Sequence, residues 1–201
     1  STDFRYNCIV NEEIARSGCT GLGWTLHNDI SVPYIVRYGS DHQKQKYLPR
    51  CISGELITAI AMTEPGAGSD IQGTKTTAVL DGDHYILNGS KTFITNGQKA
   101  GLVIVVAKTD ITAGSKGISL FLVEADFAGF SKGKNLQKLG LKAQDTSELF
   151  FQDVKVPKEN LLGEEGRGFI YLMQDLPQER LSLAVGAVAN AQAIIEATVT
   201  Y

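Results

Sequence analysis

The chain has 201 residues, 43% hydrophobic and 20% charged, with a formal net charge of −3. This length fits one large domain or parts of two or three, and the mildly acidic balance argues against nucleic acid as the main partner. No apolar run approaches the ~20 residues of a membrane span, and the first residues lack the basic start and apolar core of a signal peptide.

Residues 5–50 are predicted to be helical. Ile9, Val10 and Ile14 form one apolar stripe, the glycines within 18–23 indicate a turn, and Ser40 is placed to cap a short helix. Together these signals predict a helical segment over residues 1–52.

From about Leu56 to Val156 the pattern changes to short β-rich runs, including Leu102–Ala107 and Ile118–Val123. The turn dipeptides within Asp81–Asp83 and Asn88–Gly89 supply residues of positive φ, which tight hairpins need. The segment 53–160 is therefore expected to be an antiparallel β domain, a barrel or a sandwich. With the flanking helices, the fold class is α+β.

After Pro157 the pattern becomes helical again, with Pro177 suited to the first turn of a new helix. The last helix is rich in alanine and apolar on several faces, and such a helix is normally buried. We interpret residues 161–201 as the start of a truncated helical domain, and the chain as a fragment.

The three cysteines are Cys8, Cys19 and Cys51, and no CxxC pair or Cys/His cluster accompanies them. The sequence therefore predicts no metal site, and free thiols of this kind are typical of a reducing intracellular compartment.

Three short segments carry residues that suit chemistry, and each also has an ordinary structural explanation. The loop Thr63–Asp70 has small residues whose N–H groups can surround an anionic oxygen, or it is a simple glycine-rich turn. Phe93 and Thr95 share one strand face and suit a flat ligand, or they are common strand residues. Glu179 is a general base in an apolar pocket, or a carboxylate favoured at a helix start.

The lysines from Gly114 to Lys138 could meet nucleotide phosphates as point charges, although solvated surface lysines are the more common explanation.

Several motifs occur together in an order that resembles the acyl-CoA dehydrogenases. They are Met62–Asp70, Asn88–Lys91, Thr95–Gly97, Gly140–Thr146 and Leu162–Gly168. The resemblance implies the end of the family's N-terminal helical domain, its whole β domain and the start of its C-terminal helical domain. It also implies FAD as the cofactor and a fatty acyl-CoA as the substrate.

The resemblance assigns roles residue by residue. Residues expected to line the flavin are Ile60, Met62, Thr63, Gly68, Ser69, Phe93, Ile94 and Thr95. Residues expected near the acyl-CoA are Ser69, Ser115, Lys116, Gln178 and Arg180. Phe93 stands where many members carry Trp, which keeps a stacking surface and loses an indole donor.

The family places its catalytic glutamate either in the C-terminal helical domain or on the helix that contains Glu179. The run Leu176–Leu181 resembles the long-chain members, as do Gly117–Glu124 and Gly140–Phe151. The resemblance therefore implies that Glu179 removes the α-proton of the thioester while flavin N5 accepts the β-hydride.

The resemblance further implies a homotetramer that passes electrons to electron-transferring flavoprotein, in the mitochondrial matrix or the bacterial cytoplasm. Two alternatives stay open. One is a flavin acyl-CoA oxidase on the same fold, and the other is a folded but inactive scaffold that binds neither FAD nor CoA tightly.

Overall fold

The computed structural model describes residues 3–19 and 21–201, which form helices packed against a folded β-sheet. The helices are α1 (Arg5–Ser17), α2 (Val32–Tyr38), α3 (Asp41–Ile52) and α4 (Gly168–Thr200), and a π-helical turn, Leu26–Ser31, leads directly into α2. The strands are β1 (Thr58–Ala61), β2 (Thr77–Asp81), β3 (His84–Thr95), β4 (Leu102–Lys108), β5 (Ile118–Glu124), β6 (Phe130–Asn135), β7 (Thr146–Pro157) and β8 (Leu161–Leu162). The predicted α+β class is confirmed.

The strands form one sheet in the order β6-β7-β3-β2-β4-β5-β8, with β1 beside β4. Most neighbouring strands are antiparallel, as the sequence predicted. Strand β4 is the exception, since β1 pairs with it in parallel and Thr77 of β2 meets Lys108 in parallel. The sequence pattern did not reveal the short strands β6 and β8.

Strand β4 lies at the centre of the core, with Leu102 to Ala107 fully buried. Its even-numbered residues pack with side chains of α2, α3 and α4, and its odd-numbered residues pack with β3 and β7. A strand covered on both faces needs apolar side chains on both faces, which explains its unbroken hydrophobic run.

Most local turn and cap signals have the predicted structure. Ser40 and Gln43 form a reciprocal capping box at the start of α3, and Gly82 has φ +64° in the β2–β3 hairpin. The second predicted hairpin, at Asn88–Gly89, is wrong. Gly89 lies at an irregularity inside β3, with φ +151°, and a Cβ there would lie 2.8 Å from Cα of Thr76. Close backbone approach, and not a turn, requires this glycine.

The predicted helix start at Pro177 is also wrong, because α4 continues from Gly168 to Thr200 with Pro177 inside it. A proline within a helix removes one backbone hydrogen bond, yet tertiary packing can keep the helix continuous. Glu179 is therefore in the middle of α4, and the helix-start explanation for its charge does not apply.

Helix α4 is long enough, and apolar enough over an 18-residue window of mean hydropathy 1.3, to cross a membrane by length and composition alone. The sequence expectation concerned an apolar run of ~20 residues, and α4 contains no such uninterrupted run, since polar residues such as Asn190 and Gln192 interrupt it. Only 6% of that window is buried within the described residues. The exposed apolar side chains of α4 include those of Leu181, Leu183, Val188, Ile194, Ile195 and Val199. Core helices of soluble proteins share this composition, so the measure alone does not assign a span.

Candidate functional site

The loop that follows β1 forms one wall of the candidate site. Along it, Ile60 is buried, Met62 and Thr63 are half-buried, and Gly68 and Ser69 are exposed. A Cβ added at Gly68 would meet nothing within 4 Å. Among the described residues, no acceptor takes a hydrogen bond from the backbone N–H of Gly68 or Ser69. These two amides are free to bind an anionic oxygen, as the sequence predicted for the loop.

A buried ion pair fixes this loop to β3. Lys91 Nζ donates to Oε1 of Glu64 at 2.8 Å and to the carbonyl of Met62 at 3.1 Å. The Lys91 side chain is 0% exposed and that of Glu64 is 5% exposed. Glu64 also accepts hydrogen bonds from the N–H groups of Lys75 and Thr76 and from the Thr76 hydroxyl. The loop is therefore held by charge and by hydrogen bonds on several sides.

Sequence reasoning missed this pair, although a glutamate inside a glycine-rich loop and a lysine inside a strand were visible signals. Burial lowers the pKa of Lys91 to about 8, against the attraction of Glu64. Burial also works to raise the pKa of Glu64, but the charge of Lys91 and the hydrogen bonds outweigh it and leave that pKa below its usual value.

Phe93 follows on the same strand and presents its ring to solvent. Its side chain is 67% exposed and its backbone has φ +58°, at a register irregularity between Lys91 and Ile94. Ile94 faces the core, and Thr95 is half-buried. Phe93 and Thr95 therefore lie on the more exposed side of the strand, whereas the side chain of Ile94 is in the core.

A cleft of about 680 Å³ opens beside Thr95. Its other walls come from α1, residues 18–19 and 22–26, the segment between β6 and β7, and the middle of α4. The apolar lining includes Ile14, Trp24, Leu26, Leu183 and Ala187. Sequence reasoning did not find the cleft, although Trp24 is the single tryptophan of the chain and follows a glycine-rich segment.

Glu179 lies on α4 one turn before the cleft residue Leu183, and it is 5% exposed. The hydroxyl of Tyr34 donates a hydrogen bond to Glu179 Oε1 at 2.8 Å. Burial raises the pKa of the Glu179 carboxyl, and the Tyr34 hydrogen bond and the charges of Arg180 and Arg37 oppose that rise. A buried carboxylate with a raised pKa beside an apolar cleft has the properties of a general base.

The other predicted substrate residues lie around this arrangement. Ser115 and Lys116 are in the turn Gly114–Gly117, and a Cβ at Gly114 would be 3.9 Å from Oε1 of Gln72, just beyond the loop after β1. Gln178 accepts a hydrogen bond from Arg37, and Arg180 is exposed.

The lysines that could meet nucleotide phosphates differ in whether they already have partners within the protein. Lys132 Nζ donates to the carbonyls of Gln98 and Ala100, and Lys138 Nζ donates to Thr146 Oγ1. These two lysines hold backbone segments of the β domain together, whereas Lys116 is exposed.

Comparison with known proteins was made on sequence and on structure. Residues 1–55 match the family model described as acyl-CoA dehydrogenase, N-terminal domain, and residues 59–154 match acyl-CoA dehydrogenase, middle domain. The long-chain specific acyl-CoA dehydrogenase, mitochondrial, of Sus scrofa is 57% identical over 96% of this chain and 45% of its own length. The chain thus spans about half the length of the curated relatives it matches.

Solved structures give the same result. The acyl-CoA dehydrogenase from Geobacillus kaustophilus superposes with a TM-score of 0.96 at 57% identity, covering 100% of this chain and 53% of that one. An acyl-CoA dehydrogenase complexed with FAD from Bacillus anthracis has a TM-score of 0.88 at 41% identity, covering 96% of this chain and 34% of that one.

Proposed function

The chain belongs to the acyl-CoA dehydrogenase family, and on that premise we propose that it takes part in α,β-dehydrogenation of fatty acyl-CoA thioesters with FAD as cofactor. The observation that carries the proposal is the buried Glu179 carboxylate on α4, one turn before Leu183, which lines a mostly apolar cleft together with Thr95. The product of the reaction is a trans-2-enoyl-CoA.

The residues present fit FAD. The open backbone at Gly68 and the free N–H groups of Gly68 and Ser69 suit an anionic diphosphate. The exposed ring of Phe93 suits stacking on a flat ring system, and the Thr95 hydroxyl on the same side of the strand suits a hydrogen bond to its edge. When bound, FAD supplies the acceptor for the hydride that leaves the β-carbon.

Glu179 removes the α-proton. Desolvation raises its pKa and so makes the ionised carboxylate a stronger base than one in water. Oε1 is engaged by Tyr34, and none of the described residues donates a hydrogen bond to Oε2, so Oε2 is the oxygen free to take the proton. Leu183, one turn further along α4, lines the cleft and would hold the substrate carbons near Glu179.

The acyl tail occupies the cleft of about 680 Å³, whose volume is within the range of ligand pockets. Its lining of Ile14, Trp24 and Leu183 binds hydrocarbon, and each buried methylene contributes about 0.8 kcal/mol. We expect kcat/KM to rise with the length of a straight acyl chain until the cleft is filled, so long-chain fatty acyl-CoAs are the proposed substrates.

The proposed partners follow from family membership. They are electron-transferring flavoprotein as electron acceptor and further copies of the same chain in a homotetramer, in the mitochondrial matrix or the bacterial cytoplasm. A flavin acyl-CoA oxidase differs in the reaction of the reduced flavin with oxygen, so the rate of reoxidation by oxygen distinguishes the two activities. If the purified chain shows no flavin spectrum, the scaffold alternative is favoured for the chain by itself.

The first test is the visible spectrum of the holoenzyme during anaerobic addition of straight-chain acyl-CoAs. Loss of the flavin band at about 450 nm supports dehydrogenation and ranks the chain lengths. A flavin band that no acyl-CoA bleaches would keep the cofactor and remove the proposed substrate class.

The second test replaces the proposed base. Glu179→Gln preserves shape and the hydrogen bond from Tyr34, so we expect a normal flavin content and a loss of bleaching by at least ~100-fold. Glu196→Gln, an exposed position on the same helix, is the matched control and should bleach at the normal rate. Normal bleaching by Glu179→Gln would remove Glu179 from the role of base.

A further inference from the structure

One face of α2 packs against α4 around Pro177. Three side chains of α2 make polar contacts with four residues of α4, which lie on two successive turns of that helix. The pairs are Tyr34 with Glu179, Arg37 with Asp175 and Gln178, and Tyr38 with Gln174. Tyr38 also stacks on Tyr171, with ring centroids 4.0 Å apart. Helix α2 therefore determines the position of the α4 segment that carries Glu179.

Pro177 makes this packing important for Glu179. A proline has no N–H, so the carbonyl one turn earlier, at Met173, loses its helical partner. A helix weakened at this point bends more easily, and a small bend would move the carboxylate two residues further along. The contacts from α2 lie on both sides of the proline and hold the segment against such movement.

The bond from Tyr34 is the contact that reaches the carboxylate itself. It joins residues 145 apart in the sequence, and the tyrosine is 0% exposed and the glutamate 5% exposed. In such a buried place a hydrogen bond to a charged group is strong and well directed. The bond occupies Oε1, and Tyr34 is the one hydrogen-bond donor to this carboxylate among the described residues, so Oε2 has none.

We propose that Tyr34 is a positioning residue for the Glu179 carboxylate, holding Oε1 by its hydroxyl so that Oε2 faces the proton to be removed. This inference rests on the proposed function, since it assigns Tyr34 a part in the same proton transfer. Tyr34 acts through Glu179 and needs no contact with substrate or cofactor.

The charges around the pair fit this role. On α2, Arg37 faces the site and forms an ion pair with Asp175, so much of its charge is compensated. On α4, Arg180 is exposed and Asp175 is buried. Burial, followed by the charge of Glu179, raises the pKa of Tyr34 far above its ordinary value. The phenol therefore remains a hydrogen-bond donor at every working pH, and the group of this pair that changes its protonation state is the carboxyl.

The first experiment measures the rate of flavin reduction against pH in the holoenzyme for Tyr34→Phe. The Tyr34 hydroxyl opposes the rise in the pKa of Glu179 that burial causes. Without that hydroxyl the pKa should rise further, so the acidic limb of the profile should move to higher pH by about one unit. Below that limb the rate should fall about tenfold, and at high pH it should stay below the original rate, because the ionised carboxylate is no longer held in position. Tyr6→Phe is the matched control, because it removes the hydroxyl of an exposed tyrosine on α1, outside the α2–α4 contacts. It should leave the profile in place.

The second experiment needs no catalysis and measures thermal unfolding in a double-mutant cycle with Glu179→Gln. The folded-state pKa of Glu179 is raised, so its contribution to stability is present in acid and is lost as pH rises through that pKa. Loss of the Tyr34 donor should therefore lower Tm more at about pH 7.5 than at about pH 4. In the Glu179→Gln background the loss should be the same at both pH values. A pH-independent loss in both backgrounds would mean that Tyr34 only packs, and would overturn the inference.

The outcomes distinguish a failure of Glu179 as the base from a failure of Tyr34 as the positioning residue. If Glu179→Gln still reduces its flavin, the assignment of the base fails, whatever Tyr34 does. If Glu179→Gln is inactive but Tyr34→Phe leaves the acidic limb in place, the proposed function stands and the positioning role of Tyr34 is wrong.

Discussion

Two buried glutamates, one on each side of the candidate site, show how a protein assigns different tasks to the same side chain. Glu64 is 6% exposed and Glu179 is 5% exposed. Glu64 meets the ammonium group of Lys91, whereas Glu179 meets the neutral hydroxyl of Tyr34. Its partners hold the pKa of Glu64 below its usual value, and burial raises that of Glu179.

The difference lies in the partner and not in the depth of burial. A cationic partner keeps a carboxylate ionised, so Glu64 serves as a fixed anchor for the loop that carries Gly68 and Ser69. A neutral donor orients a carboxylate while compensating less of the cost of its charge, so the pKa of Glu179 stays raised and its carboxylate is the stronger base. The β side of the site is thus built to hold its shape, and the helical side is built to exchange a proton.

Breaking the anchor should give the largest effect. Lys91→Met leaves the Glu64 carboxylate buried without its cation, and removing one partner of a buried pair costs about 3–5 kcal/mol. The free energy of unfolding from urea titration should fall by that amount, and the loop after β1 should lose its ordered amides. FAD content should fall with it.

Lys99→Met is the control for this prediction, because Lys99 follows the same strand and is exposed. We expect a change within about 0.5 kcal/mol for that surface substitution. Equal stabilities for the two variants would mean that the pair with Glu64 contributes no more than a surface charge.

The pH dependence of stability should have opposite signs at the two glutamates. The lowered pKa of Glu64 gives stability that is present above the ordinary value of 4.5 and is lost as pH falls through the folded-state pKa. The raised pKa of Glu179 gives the reverse, a contribution present below 4.5 and lost as pH rises through the folded-state pKa. Each unit of difference between folded and unfolded pKa corresponds to about 1.4 kcal/mol.

Glutamine variants expose these signs. Relative to the unchanged protein, Glu64→Gln should be least stable near neutral pH and should recover in acid. The stability of Glu179→Gln relative to the unchanged protein should be highest near neutral pH and lowest in acid. Denaturant titrations of both variants from about pH 4 to about pH 7.5 would check this. Parallel curves for the two variants would contradict the contrast between the anchor and the base.

The sequence predicted the parts of this site that depend on local chemistry. Phe93 and Thr95 lie on the more exposed side of β3 as predicted, although the irregularity at Phe93 interrupts the period of two, and the open loop at Gly68 fits its small residues. Proline preferences misplaced a helix start at Pro177, because packing against α2 was invisible to a local rule. The contact of Tyr34 with Glu179 spans 145 residues, and nothing in either local sequence indicates it.

The smallest effect is expected at Phe93, where the backbone of β3 is held in a strained conformation that lowers the free energy of unfolding. A non-glycine residue at φ +58° costs about 1–2 kcal/mol, and the anchored strand on either side keeps it in place. Phe93→Gly should relieve that strain, offset by the greater chain entropy of glycine of about 0.5–1 kcal/mol. The net gain in unfolding free energy should therefore be about 0.5 kcal/mol.

Phe93→Ala separates strain from stacking, since it removes the ring and keeps a Cβ at the strained position. Both variants should bind FAD up to about tenfold more weakly, because an aromatic contact contributes about 0.5–1.5 kcal/mol beyond its buried area. Only the glycine variant should be more stable than the unchanged protein, as measured by urea titration of the FAD-free form. If alanine stabilises as much as glycine, the exposed ring and not the backbone is the source of the cost. The β side would then hold its shape without stored backbone strain.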